Sequence, residues 1–297
     1  MANAYTATTS QFSTPYLTLD EFKNAPTAID IDNLVFNSQD PDVQSSELMN
    51  VIARASSWID TYCNQVLAAT VETEQQRGRI KADGTIRLHP RYNPIIALLA
   101  FNYGNPNTQL QSLPDCSIAW IEDSQIIVPY ASASTTYSSQ GPLQFGFPVS
   151  PRQEVFLNYQ YVCGYTNTTI VSATATQSSI TVASGIGFTV GQMLKIYDGM
   201  YSENVVVAST YTFGSTTIPL VSPLQYTHNA SVSISALPPA IKEAAILVTT
   251  AFLKVRGDSS MAMAISTRPG NGLDQADKLG DEITLAKQLL APYRRVR

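Results

Sequence analysis

Two histidines, His89 and His228, and three cysteines, Cys63, Cys116 and Cys163, are all that this chain of 297 residues offers to nucleophilic or metal-assisted chemistry beyond its acids. His228 lies in Tyr226-Thr-His-Asn229, a turn sequence, and His89 directly precedes Pro90 at a strand end. Neither has a Cys, His or acidic pair at ligand spacing, so both read as structural. The cysteines are odd in number and widely spaced. They define no disulfide framework and no metal site, which suits synthesis in a reducing cytoplasm. Asp20, Glu21, Asp30, Asp32, Asp40 and Asp42 lack the glycine and closing glutamate of a calcium loop, and read as loop and cap residues. Gly185-Ile-Gly187 has no third glycine and no following helix, so it is not a dinucleotide fingerprint. These residues argue against an enzyme and imply no metal and no cofactor.

Arg256-Gly257-Asp258 is the tripeptide by which many secreted adhesion proteins meet integrins. Each of its residues also has a local reason to be there. It falls where helical periodicity over Ile241–Val255 runs out, and Gly257 suits the left-handed position just beyond a helix end. Arg256 suits the negative helix terminus, and Asp258 can open the next loop. The N-terminal stretch has neither a basic region nor an apolar core, so it does not read as a secretory signal. The triplet therefore reads as a helix terminus.

Composition narrows the class. Hydrophobic residues make up 44% and charged residues 14%, which excludes a disordered chain. Ser, Thr, Gln and Asn fill the polar positions instead. The net charge is -5, without the basic stripe of a duplex-DNA binder; only the end, Pro292 to Arg297, is basic. No run approaches the ~20 apolar residues of a membrane helix, so no membrane partner is expected.

The periodicities arrange themselves in blocks. Residues 1–16 are polar and aperiodic, a flexible arm. Leu17–Ala25 reads as a short helix with Thr18 and Glu21 at capping-box spacing. From about Ser45, Leu48, Val51, Ile52, Ala55, Ile59, Tyr62, Cys63 and Val66 mark a long amphipathic helix. Alternation then predicts a hairpin, Val71–Arg79 with Thr85–Leu88 across Ala82-Asp83-Gly84. Strands follow at Ile95–Phe101, Trp120–Val128 and Glu154–Tyr161, with a Ser/Thr/Gly/Pro-rich loop over Ala131–Pro151. Residues 167–237 are nearly free of charge and rich in Val, Ile, Thr and Ser, as in a small all-β domain. Helical periodicity returns after Pro238-Pro239. A Ser, Met, Pro and Gly-rich loop is expected over Asp258–Gly272, and a last helix over Asp274–Leu290. The expected fold class is α+β: a discontinuous helical core with strands, residues 17–166 plus 238–297, carrying the β domain as an insert.

The order "LTLDEF", "ELMNVIARASSWIDTYC", "RYNPIIAL", "LPPAIKEAAILVTTAFLKVRGD" and "EITLAKQLLAPYRRVR" resembles the head-to-tail adaptor (connector, head-completion) proteins of long-tailed bacteriophages. The resemblance covers roughly residues 17–100 and 237–297. It implies a helical connector core and a virion protein made in the host cytoplasm and placed at the capsid–tail neck. Such a protein forms a cyclic ring of about twelve copies beneath the portal. It extends the DNA channel and receives a tail-side stopper or terminator protein, and genomic DNA passes without sequence-specific binding. In the family the C-terminal segment docks on the portal, here Leu279, Ile283, Leu290, Tyr293, Arg294, Arg295 and Arg297. The β insert departs from the simplest members. A second reading makes it a surface module that contacts capsid, neighbouring proteins or a host glycan through Tyr197, Tyr201, Tyr211, Phe213 and Tyr226.

Overall fold

In a computed structural model of the chain, residues 15–27, 29, 31, 34–35, 38, 40–81, 84–104, 110–129, 154–257 and 282–295 are described. The chain divides into two compact units, one built on Ala69–Gly164 and the other combining residues 13–68 with 165–297. The loops expected over Ala131–Pro151 and Asp258–Gly272, residues 1–14 of the expected arm, Asp30 and Asp32 lie outside the described residues. Tyr16, expected in that arm, is instead fully buried.

The first unit is β-structure: β1 (Thr70–Arg79), β2 (Thr85–Leu88), β3 (Ile95–Gly104), β4 (Gln111–Ser112), β5 (Trp120–Glu122), β6 (Gln125–Pro129) and β7 (Glu154–Cys163). They form a sheet in the order β1-β7-β3-β4 and a second in the order β2-β6-β5. The expected hairpin of β1 with β2 is thus corrected. β1 pairs along its whole length with β7, from Thr70 opposite Cys163 to Arg79 opposite Glu154, and β2 pairs with β6. The first two strands lie in different sheets and meet through an Ile80–Ile86 bridge at the turn. A turn signal brings neighbouring strands close, but a ten-residue ladder with a distant strand satisfies far more backbone groups. The stretch read as one strand over Trp120–Val128 is two. Asp123 and Ser124 both take left-handed conformations, φ 46° and 63°, as a two-residue hairpin turn requires.

In the second unit, α1 (Leu19–Lys23) starts with the expected capping box. The Glu21 amide donates to Thr18 Oγ1 at 3.3 Å and the Thr18 amide to Glu21 Oε2 at 2.6 Å. α2 (Pro41–Cys63) begins four residues before Ser45, because Asp40 accepts the Asp42 amide at 3.0 Å and Pro41 occupies the first helical position. α3 (Pro239–Gly257) includes Gly257, so that glycine lies within the helix and not at the expected position just beyond its end; Asp258 lies outside the described residues. Residues 282–290, here α4, are helical. Leu48, Ile52, Ala55 and Ile59 of α2 pack with Ile241, Ala245 and Val248 of α3 and with Ala286 and Leu290 of α4 in one core.

The same unit holds β8 (Asn167–Ser172), β9 (Ser179–Val182), β10 (Met193–Tyr197), β11 (Glu203–Val206), β12 (Thr217–Pro219) and β13 (Ser233–Ser235). Their order is β11-β10-β13-β8-β9-β12. The outer strands meet beyond their ends: Val207 bridges Leu220, the Ala208 amide donates to the Pro219 carbonyl, and the Val221 amide to the Val206 carbonyl, both at 2.9 Å. The sheet thereby curls on itself around Ile180, Phe188, Leu194, Ile196, Ile218 and Ile234, leaving little free edge for strand addition. Gly185 serves this closure. A Cβ there would stand 2.3 Å from the Ser215 carbonyl oxygen, so close backbone approach explains the glycine that could have suggested a nucleotide site.

The expected helical connector core is therefore corrected. Strand exceeds helix among the described residues, 35% against 29%, and only α2, α3 and α4 are substantial helices. A helical core is what the resemblance implies, but the strands between Thr70 and Cys163 pair with one another in sheets of their own in the first unit and do not join the helices.

Candidate functional site

Four of the five segments on which the resemblance rests share one core, and the Arg91–Leu98 segment belongs to the other unit. Within Trp58-Ile-Asp-Thr-Tyr-Cys63, Ile59 and Cys63 are fully buried, while Trp58 and Tyr62 stack with ring centroids 5.5 Å apart. Asp60 accepts a hydrogen bond from the Tyr16 hydroxyl, which itself accepts from the Leu67 amide at 2.9 Å. Burial pushes the Asp60 carboxyl up to about 6, against the Tyr16 and Leu67 bonds that favour its charge. Burial, and then Asp60, push the Cys63 thiol up to about 12, so it is an unreactive core group.

The chain's last described residues lie on this helix end. Asn64, left-handed at φ 55°, closes α2. Its Nδ2 donates to the Arg295 carbonyl at 3.2 Å, and Gln65 Nε2 donates to the Tyr293 carbonyl at 3.0 Å. The Arg295 amide in turn donates to the Cys63 carbonyl at 2.9 Å, one of the acceptors that a helix terminus leaves open. The Arg294 guanidinium lies 5.3 Å from the Tyr62 ring centre, within cation–π range. Tyr293 meets Tyr165 edge to face at 6.4 Å.

The residues expected to dock therefore have distinct places. Leu290 is fully buried and Ile283 packs against the same core. Tyr293 and Arg295 are half-buried and Arg294 is exposed. Leu279 and Arg297 lie outside the described residues. This arrangement presents a basic, aromatic corner on a rigid support, suited to a carboxylate-bearing partner.

Two buried charge clusters are not foreseen by the sequence. Lys242 of α3 reaches Glu21 Oε1 at 2.6 Å and Ser233 Oγ at 3.2 Å, with the Tyr197 ring centre 4.2 Å away. Burial pulls its ammonium below the ordinary lysine value, against the supporting Glu21 charge. One lysine thus ties α1, α3, β10 and β13. Beside it a cavity of about 240 Å³ is lined by Leu17, Pro26, Tyr197, Ser202, Lys242 and Ile246, among others. The only legible signal is a lysine beside Ile241, next to the apolar stripe of α3.

His228 sits in the second cluster with its side chain wholly buried. Nδ1 is 2.8 Å from Asp198 Oδ2 and Nε2 is 2.8 Å from Glu203 Oε1. Burial alone would raise the Glu203 carboxyl, but the Gln225 amide, the His228 ring and the Tyr226 amide together hold it below the ordinary glutamate value. The residue expected at a turn is thus the centre of a clamp that fixes the 225–228 segment to β11. His89 is exposed after β2. Of the acids weighed as a cluster, Glu21 and Asp40 serve as caps. Among the described residues no group of three His, Cys, Asp or Glu side chains could hold a metal ion, and no helix is long and apolar enough to cross a membrane.

No family model, no curated protein and no solved structure matches the chain.

Proposed function

We propose that the chain is a structural assembly protein, a head-to-tail adaptor of a long-tailed bacteriophage virion. Copies of it close into a ring beneath the portal, extend the DNA channel and receive the tail-side protein. The observation that carries this reading is the convergence at the end of α2. Four of the five segments that resemble the adaptor family, although spread over the chain, share one core, and two of them, α2 and the C-terminal segment, form one surface corner. Arg294 and Arg295 stand there beside Tyr62 and Tyr293, fixed through the main chain, with Arg294 exposed. The net charge of -5 accords with a channel along which DNA slides, because each phosphate contact would add salt-dependent affinity.

The test is co-sedimentation of the purified protein with its cognate portal ring, together with native mass measurement. Wild-type protein is expected to join the portal. The variant Arg294→Glu should lose about tenfold or more in affinity, ~1.4 kcal/mol, while keeping its cooperative unfolding transition. A chain that stays monomeric and ignores the portal would sink the reading.

A second reading rests on the exposed aromatics of the curled sheet. Tyr201, Phe213 and Tyr226 are exposed, with Met200 beside them 91% exposed, and the Tyr201 and Tyr226 ring centres lie 5.4 Å apart. Tyr197 and Tyr211 do not belong to that surface. Tyr197 lies against Lys242, and buried Tyr211 donates to the Gly185 carbonyl at 3.0 Å. In this reading the sheet meets capsid, a neighbouring protein or a host glycan. Tyr201→Ala/Tyr226→Ala virions that assemble normally but attach poorly to capsid or host would favour it; unaltered attachment would remove it.

A further inference from the structure

The inner face of the β1–β7 pair carries two carboxyl groups in very different surroundings. Glu72 stands opposite Tyr161 and Glu74 opposite Tyr159. Glu74 is saturated with donors: its Oε1 accepts from the Tyr161 hydroxyl at 2.6 Å and from the Arg91 amide at 2.9 Å, and its Oε2 from the Tyr159 hydroxyl at 3.1 Å. Three donors thus meet this one carboxylate. Glu72, two residues before it on the same face, is only 5% exposed. Its side chain has no hydrogen-bond or ion-pair partner among the described residues, and its carboxyl oxygens keep only slight contact with solvent.

The neighbours offer Glu72 no positive charge. β7 presents Tyr159, Tyr161 and Cys163, all pushed up by burial first, and then by the nearby glutamates, so all three are neutral. The segment before β3 supplies Arg91, which is exposed and whose charge acts on Tyr159 but not on Glu72, and Tyr92, whose amide donates to the Tyr161 hydroxyl at 3.2 Å. β3 itself carries no charged side chain. A largely buried, unpaired carboxylate two residues from a second one is a costly arrangement. A neutral carboxylic acid in that place is not.

We propose that Glu72 keeps a proton on the inner face of the β1–β7 pair, and that losing it loosens β1, making the strand a pH-responsive latch. Burial first, and then the Glu74 charge, push the Glu72 carboxyl from 4.5 up to about 7, consistent with the geometry. The unfolded or opened strand releases its proton in the ordinary glutamate range, whereas the closed sheet holds it to about 7. Stability is therefore full below the ordinary range, falls as pH climbs through that window and levels off above it.

Amide hydrogen exchange and thermal unfolding of the full chain across this range provide the test. Corrected for intrinsic exchange, protection of the β1 amides should fall by up to about tenfold per pH unit between ~4.5 and ~7. Glu72→Gln, which copies the neutral acid in shape, should remove that slope while keeping the low-pH protection. The wild-type protein gives an independent measurement through its side-chain carboxyl carbon resonances. The signal missing from Glu72→Gln should titrate near neutrality. Titration in the ordinary glutamate range, or a β1 protection that keeps its slope in Glu72→Gln, would overturn the proposal.

Discussion

Lys242→Ala is expected to destabilise the unit containing α1 and α3 by about 3–5 kcal/mol, measured by denaturant unfolding, because it strands a buried carboxylate. The Lys242 and Glu21 side chains are 7% and 8% exposed, so solvent cannot take over the lost partner. Glu21 keeps its capping bond from the Thr18 amide at 2.6 Å and is thus held in place with its charge uncompensated. Lys242→Met/Glu21→Gln separates this from simple loss of packing. The neutral pair retains volume and the capping geometry, and should recover most of the loss, since replacing both members of a buried pair is far milder than removing one. If the double variant were as unstable as Lys242→Ala, the ion pair would not be the cause.

Leu290→Ala should cost about 2–5 kcal/mol, the range for a leucine truncated in a closed core. Leu290 and Ala286 are fully buried among α2 and α3 residues. This bears on how docking by the C-terminal segment is to be tested. Removing residues 274–297 would strip those side chains from the core and leave apolar surfaces of α2 and α3 exposed, so failure of such a protein to join the portal would report unfolding as readily as lost docking. A change at exposed Arg294 avoids that ambiguity, since the main-chain bonds of Arg295 to Asn64 and Cys63 survive it. A Leu290→Ala protein as stable as wild type would mean that the α4 contact is not kept in solution.

The helices are legible for a definite reason. A helix closes its hydrogen bonds within itself, so its apolar stripe and caps are written in consecutive residues. The Thr18–Glu21 capping box, the Leu48–Cys63 stripe and the Pro238-Pro239 helix start are all readable, and all are present. The start of α2 moves to Pro41 because an Asp-Pro pair reads as loop as easily as cap. Strand pairing is not legible in the same way. The residues of β1 alternate as a strand should, yet nothing in them names β7, more than seventy residues away, over the adjacent β2. The curling of β8–β13 likewise depends on two amide bonds beyond the strand ends.

The candidate site divides along the same line. Residue types alone are enough to mark a chain poor in histidine and cysteine and a basic stretch at Pro292–Arg297. Only the tertiary structure puts Arg294 against Tyr62, Lys242 against Glu21, His228 between Asp198 and Glu203, and Glu72 alone beside a saturated Glu74. Each of these depends on side chains brought together across 25 to more than 200 residues for the pairs, or on the pairing register of two strands for Glu72. Local periodicity reports which face of an element is buried. It cannot report what that face will meet, because the free energy that decides this comes from burial and charge pairing between distant parts of the chain.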